Sequence, residues 1–296
     1  MRLNGTQPNM KEVTTMQTMV PLYGFGGGSG GTGAALTVTA PAGATVTVSK
    51  DGKSKTKVAD TDGVAVFKGL SSGDWLLSIT DGTQTAQKTV TITADYTTAI
   101  TFFAATIHIT YPAGSTCTAT DGTTTLTAPD TSGTWDCVVP NAGTWTVSLD
   151  SGLSETIDVT TSGETYTIDR WYLYNQGDEH EAITGGWTGT GLTKNADNLY
   201  LKGTDVYCHT ANGVSTLGYA SAVFEAMSKS TNSGGKSYVG FLDDRGAEVA
   251  KVQVTPGSEK KVVQVPLDAV QGTFKPYLWT QASNQGAYLY SVYLTI

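Results

Sequence analysis

The sequence predicts an all-β protein, and three observations carry that reading. Charged residues make up only 15% of the 296, well below the typical quarter of a globular chain. Threonine is the commonest residue and glycine numbers 35, so the composition supplies β-branched strand formers and residues free to take the positive φ of tight turns. No segment carries three turns of apolar residues at helical spacing. The third observation is a repeat. TDGVAVFKGLSSGDWLLSITDG at 61–82 returns as TSGTWDCVVPNAGTWTVSLDSG at 131–152. A shift of 70 residues maps Gly63 onto Gly133, Gly73 onto Gly143, Trp75 onto Trp145, Ser78 onto Ser148 and Gly82 onto Gly152.

The likeness extends upstream, where TVTAPAGATVTVSKDG (37–52) faces HITYPAGSTCTATDG (108–122). Two copies are too few for a solenoid, whose units bury their faces on stacked neighbours. Each copy is therefore expected to close its own core as a tandem domain, residues 36–104 and 105–169. Apolar residues alternate along both, as in Leu36 and Val38, Val46 and Val48, Val64 and Val66, Val90 and Ile92. Pro-Ala-Gly, Asp-Gly and Ser-Ser-Gly-Asp turns separate these runs at the spacing of a small β-sandwich. Trp75 and Trp145 each follow a turn glycine, where one large ring fills the space between two sheets.

Three cysteines form no disulfide framework. Cys117 aligns with Val46 and Cys137 with Phe67, so both read as small buried apolar residues on neighbouring strands. Whether they pair under oxidising conditions stays open, and Cys208 is left over.

Residues 1–35 are polar with scattered Met, Val, Leu and Tyr, and run into GFGGGSGGTGAA, a flexible coil linker. The VPLYGF segment supplies apolar anchors, so this stretch is expected to be a docking tail. It lacks the apolar core of a signal peptide, and no run of the chain is apolar for the length of a membrane span. Residues 170–296 change texture. NLYLKG, YASAVFEAMS, KSYVGFLDD, EVAKVQV, KVVQVPL, FKPYLWTQ and GAYLYSVYLTI follow as strands, the count expected of a jelly roll. Strict alternation places Tyr288, Tyr290, Val292, Leu294 and Ile296 on one face of the last.

With these residues on the page two resemblances appear. The pattern Gly-x-x-x-Phe, Leu/Pro-x-x-Gly-x-Trp, x-x-Ser resembles the prealbumin-like or immunoglobulin-like modules, including the carboxypeptidase-regulatory-like type, of bacterial surface proteins and phage virion proteins. Some relatives form Lys–Asn cross-links; residues 105–169 hold no lysine and cannot. Tyr174-Asn175-Gln176-Gly177-Asp178-Glu179, Ile183-Thr184-Gly185-Gly186-Trp187, Val265-Pro266-Leu267-Asp268 and Tyr290-Ser291-Val292-Tyr293 resemble the C-terminal galactose-binding-like β-sandwich of structural proteins from phages and prophages of Gram-positive gut bacteria. His180 stands where that pattern commonly has a cysteine. The resemblance implies two immunoglobulin-like sandwiches and a jelly roll on a virion. The tail would dock on other virion proteins, several copies would sit on the particle, and the jelly roll would face glycan on the host surface.

Charge and chemistry narrow the function. The net charge is −8, and residues 105–169 carry 8 acids without a single Lys or Arg. Such a surface repels polyanions, which argues against nucleic acid as a partner. His108, His180 and His209 are the only histidines; none stands in a nucleophile-elbow context. Asp178, Glu179, His180 and Glu181 are the densest group of ligand-type residues, but successive strand residues point to opposite faces, so a solvated turn is expected there. Asp243-Asp244 reads as a turn, with a structural Ca²⁺ left open. The glycine-rich stretch has no Lys-Ser/Thr and precedes no helix, so it is no phosphate loop. No catalytic residue is singled out and no cofactor is implied.

A sugar site needs an exposed aromatic ring beside hydrogen-bonding side chains. Trp279 in WTQASNQGAY, with Gln281, Asn284 and Gln285 near it, fits first, and Trp187 after Gly185-Gly186 second. Tyr200 and Tyr207 are further candidates, each weighed against a role as a core aromatic. The function expected is a virion structural or fibre protein that presents a carbohydrate-binding domain. A bacterial surface adhesin is the alternative, and a polysaccharide-degrading enzyme a third.

Overall fold

The computed structural model describes residues 33–229, 236–281 and 286–296; the expected docking tail lies outside them as far as residue 32. The chain is all-β, with one single-turn helix among the described residues. By contact it divides into two compact units, residues 1–77 with 87–99 and residues 78–86 with 100–296.

The first repeat forms β1 (Ala34–Thr39), β2 (Thr45–Lys50), β3 (Lys53–Val58), β4 (Val64–Leu70), β5 (Gly73–Thr80), β6 (Thr85–Ile92) and β7 (Tyr96–Ala99). They make two sheets, β4-β1-β7 and β3-β2-β5-β6. The second repeat forms β8 (Ala105–Thr110), β9 (Cys117–Thr120), β10 (Thr125–Thr127), β11 (Thr134–Val139), β12 (Gly143–Leu149), β13 (Ser154–Val159) and β14 (Thr165–Ile168). Its sheets, β11-β8-β14 and β10-β9-β12-β13, repeat the same order strand for strand, down to a parallel last strand on the first.

The repeated residues explain why. Gly63 and Gly133 both have positive φ, and a Cβ on either would run into a backbone carbonyl, of Ala40 and of Tyr111 respectively. Only glycine fits there. Trp75 and Trp145 are both buried, and each indole N–H donates to the backbone carbonyl four residues earlier, Ser71 at 2.9 Å and Asn141 at 3.1 Å. Cys117 and Cys137 are buried free thiols. They stand on opposing sheets, in β9 and β11, rather than on neighbouring strands as the alignment suggested. Burial pushes each thiol up to about 12, so neither is a ready nucleophile.

The remaining strands are β15 (Trp171–Asn175), β16 (Trp187–Gly189), β17 (Leu192–Lys194), β18 (Leu199–Leu201), β19 (Val206–Thr210), β20 (Val214–Ser215), β21 (Ser221–Ser228), β22 (Ser237–Leu242), β23 (Glu248–Val254), β24 (Lys261–Pro266), β25 (Thr273–Thr280) and β26 (Ala287–Thr295), with helix α1 at Glu181–Thr184. One sheet runs β17-β18-β26-β21-β24 with β15 on β26; the facing sheet runs β16-β19-β25-β22-β23 with β20 on β25. Phe224 and Phe241, one from each sheet, meet edge to face at 5.9 Å in the core between them.

Alternation in β26 fails at one point. Ser291 pairs Glu225 and Leu289 pairs Ala226, which leaves Tyr290 as an extra residue in the strand. The bulge reverses the side-chain parity. Val292 and Leu294 are fully buried while Tyr288 and Tyr290 stay partly exposed, so the five residues expected on one face divide between two. Ile296 is 46% exposed.

Within residues 100–296 the buried side chains of the second repeat and of the C-terminal sandwich form one continuous core, running from Ile107 and Trp145 through Trp171 to Leu294. The Trp171 indole N–H donates to Thr110 O at 2.9 Å, and the Tyr172 N–H to Glu155 Oε1 at 2.5 Å.

Candidate functional site

The site is built on the outer face of the β16-β19-β25-β22-β23 sheet. Cys208, Leu278, Val239 and Phe241 are fully buried on its inner face. Strand alternation then sends their neighbours Tyr207, His209, Trp279 and Tyr238 outward; Tyr277 lies on the same side but is covered, at 1% exposure. Register does the rest. Tyr207 lies opposite Trp279, and Trp279 opposite Tyr238, on three adjacent strands. The three residues stand side by side across the sheet, on strands about 4.8 Å apart. Tyr238 and Trp279 have centroids 5.3 Å apart at 47°, and Tyr207 is 48% exposed with Trp279 half-buried beside it. His209 stacks on Tyr207 at 5.6 Å and 26°, its Nδ1–H donating to Thr210 O at 2.6 Å.

Polar groups border the row. Tyr277, one residue pair further along the strands, donates its hydroxyl proton to Glu248 Oε1 at 3.1 Å. Burial, and after it the Glu248 charge, pushes the Tyr277 hydroxyl well above its ordinary range, so it remains a donor. Lys251 donates to Glu248 Oε2 at 2.5 Å, and its ammonium lies 5.3 Å from the Tyr238 ring centroid. Two shallow hollows flank Tyr207. One is walled by Glu248, Tyr277 and Trp279, the other by Thr188, Thr190 and His209, and Asp205 borders both. Rings that carry an apolar face beside carboxylates, an ammonium and hydroxyls suit a ligand with flat C–H faces and many hydroxyls.

Of the residues the sequence singled out, Trp279 is the centre of the row. Gln281 is exposed two residues later, on the same side by alternation, its N–H donating to Lys236 O at 2.9 Å. Asn284 and Gln285 lie outside the described residues. Trp187 is only 2% exposed and offers no ring face to solvent, which removes it from the platform. Its backbone N–H donates to Glu179 Oε2 at 2.7 Å and its ring packs edge-on to Tyr174 at 6.0 Å. Tyr207 joins Trp279, while Tyr200 lies on the other sheet. Tyr238, Tyr277, Glu248 and His209 were not singled out. Tyr238 had a signal in KSYVGFLDD, where it precedes Val239 and alternates with it, but only the pairing register shows that it meets Trp279.

The acidic run is not a solvated turn throughout. The Glu179 side chain is 11% exposed and also accepts Lys194 Nζ at 2.7 Å, fixing the β15–β16 connection. Asp243 Oδ1 accepts the N–H groups of Arg245 and Ala247, closing the β22–β23 turn. Among the described residues no three His, Cys, Asp or Glu side chains gather as a metal site. His108 pairs with Asp136 across β8 and β11 at 2.6 Å, and His180 with Asp178 at 3.7 Å. No histidine among the described residues is bonded to a serine or cysteine.

No protein-family model matches the chain, and no curated protein matches it at a significant level. Solved structures similar to parts of it include a minor pilin of Streptococcus agalactiae, at 10% identity over 46% of this chain and 93% of that one, with a TM-score of 0.31. A family 6 carbohydrate-binding module from Clostridium cellulolyticum, in complex with xylose, aligns at 15% identity over 37% of this chain and 90% of its own, TM-score 0.29. A family 29 carbohydrate-binding module from Piromyces equi aligns at 16% identity over 43% and 90%, TM-score 0.31.

Proposed function

We propose that this is a non-enzymatic glycan-binding protein, and that the Tyr207–Trp279–Tyr238 row is where the sugar sits. The observation that carries this is the row itself: three aromatic residues brought side by side by register on the outside of a sheet, with Tyr207 48% exposed. Glu248 and Asp205 would orient the sugar hydroxyls, with Thr188 and Gln281 in reach at the edges. Aromatic stacking on a mobile hydroxylated ligand leaves a modest net free energy once ordering costs are met, so a single copy should bind at about −4 to −6 kcal/mol, a millimolar to tens-of-micromolar Kd. Several copies on one carrier would raise the effective affinity by orders of magnitude.

The carrier in this reading is a bacteriophage particle, with residues 1–35 docking on other virion proteins and the sandwiches spacing the sugar site outward. The resemblance of the segment from Tyr174 to Trp187 supports it. A bacterial cell-surface adhesin would use the same modules in the same way. Purified particles decide between them: the chain in the particle fraction supports the first, and its presence only in the cell envelope supports the second. The binding claim is tested apart from the carrier, by screening the full chain on immobilised polysaccharides beside Trp279→Ala. Loss of retention with an unchanged melt is the expected result, and equal retention by both proteins overturns the site.

A further inference from the structure

The opposite outer face of the same sandwich also carries aromatic residues, with different chemistry. Tyr200 lies opposite Tyr288 across β18 and β26, their rings stacked at 4.6 Å and 30°, and Tyr288 stacks on Tyr290 at 6.3 Å and 15°. The Tyr200 ring lies directly over Gly286, where any side chain would collide with it. The bulge at Tyr290 keeps that ring on the outer side, in line with Tyr288. All three tyrosines remain partly exposed. Two ammonium groups stand on the row: Lys229 Nζ is 4.9 Å from the Tyr288 centroid and Lys260 Nζ 4.1 Å from that of Tyr290. Among the described residues neither lysine is in an ion pair, whereas Lys194, Lys251 and Lys261 each are. The acids near the face are Asp197 in the β17–β18 turn, which acts on Tyr290, and Glu259, which precedes Lys260 in the chain and pairs with Lys261; neither forms an ion pair with Lys229 or Lys260. On the Trp279 face the ammonium beside the rings, that of Lys251, is instead paired with Glu248.

We propose that the Tyr200–Tyr288–Tyr290 face is a second binding face, whose ligand is a polysaccharide carrying carboxylates, that is, a uronic-acid polymer. Ring faces in a row match successive sugar rings, and two unpaired ammonium groups held over those rings match single negative charges spaced along them. A polymer with anionic groups but no sugar rings in its backbone satisfies the lysines alone. This inference does not depend on the Trp279 site, since the two faces are on different sheets; the acidic excess that repels polyanions lies in residues 105–169, whereas residues 170–296 carry 10 Lys and Arg against 11 Asp and Glu.

The test is retention of the full chain on polygalacturonate in affinity electrophoresis, against fully methyl-esterified polygalacturonate and poly(glycerol phosphate). The expected order is strong retention on the free acid and little on the other two, declining as salt screens the contacts. Lys229→Gln combined with Lys260→Gln should weaken it about tenfold, two exposed charge contacts at under 1 kcal/mol each. The corresponding double Arg variant should restore it, and Trp279→Ala should leave it unchanged. No retention on polygalacturonate, equal retention on the methyl ester or on the glycerol polymer, or an unaffected double Gln variant would each overturn the proposal. Loss through Trp279→Ala alone would overturn it too, by assigning the acid polymer to the other face.

Discussion

The two repeats share seven strands in one order, a turn glycine that admits no Cβ and a tryptophan bonded to the carbonyl four residues back. They differ in what a few outer positions carry. Where the first has Ala40 and the exposed Thr83, the second has Tyr111 and Leu153, both buried. Tyr111 anchors its hydroxyl on Asp130 O at 3.1 Å, and the adjoining Thr110 carbonyl receives Trp171. The second repeat thereby continues into the C-terminal sandwich as one core. The difference teaches that a repeat signature encodes a sandwich, while a handful of apolar replacements on its surface decide whether it stands alone or serves as a base.

Trp145→Ala sharpens the comparison with the largest effect. Truncating a fully buried indole should cost about 3–5 kcal/mol, and because its core is continuous the second repeat and the C-terminal sandwich should lose stability together in one calorimetric transition. Separate transitions for the two would break the shared-core account. Trp75→Ala, at 6% exposure, should cost slightly less, about 3 kcal/mol, and leave the transition of residues 100–296 in place. Trp171→Phe keeps most of the ring and removes the N–H that Thr110 accepts, so chemical denaturation should show a loss of about 1–2 kcal/mol.

The effect at Glu155 depends on pH. Burial pushes its carboxyl up to about 7 from 4.5, with the Tyr172 N–H opposing and Asp178 adding to the rise. The folded state therefore holds the proton more tightly than the unfolded chain. This contribution to stability is complete below pH 4.5 and is lost as pH rises through about 7. Glu155→Gln keeps an acceptor for Tyr172 and cannot ionise, so its melting temperature should overtake the wild type's as pH rises from 4.5 to about 7, the interval between the two pKa values. Parallel pH curves for the two proteins would contradict this.

The all-β class, both sandwiches and the tryptophans at their centres were legible because each rests on local rules: alternation, turn glycines and a repeat that counts its own residues. Trp279 was legible as an aromatic among amides. Tyr207 was a further candidate, but Tyr238 was not, and that either meets Trp279 depends on strand register, since both lie far from it in sequence. Trp187 shows the converse. Two glycines before a tryptophan read as an exposed loop, yet the Glu179 carboxylate binds the backbone there and turns the ring inward. The parity reversal in β26 was hidden for a similar reason, since a bulge arises from pairing with β21 and leaves no mark in an alternating sequence.

The central claim is that sugar is bound by a row of rings set by register. The most direct test is isothermal titration of the full chain with the oligosaccharide selected by the polysaccharide screen, comparing wild type with Tyr207→Ala, Tyr238→Ala and Trp279→Ala. The account predicts that each substitution weakens binding, Trp279→Ala by tenfold or more, about 1.4 kcal/mol, while melting temperatures stay within a few degrees of wild type. Binding undiminished in all three, or lost only in proportion to stability, would contradict it.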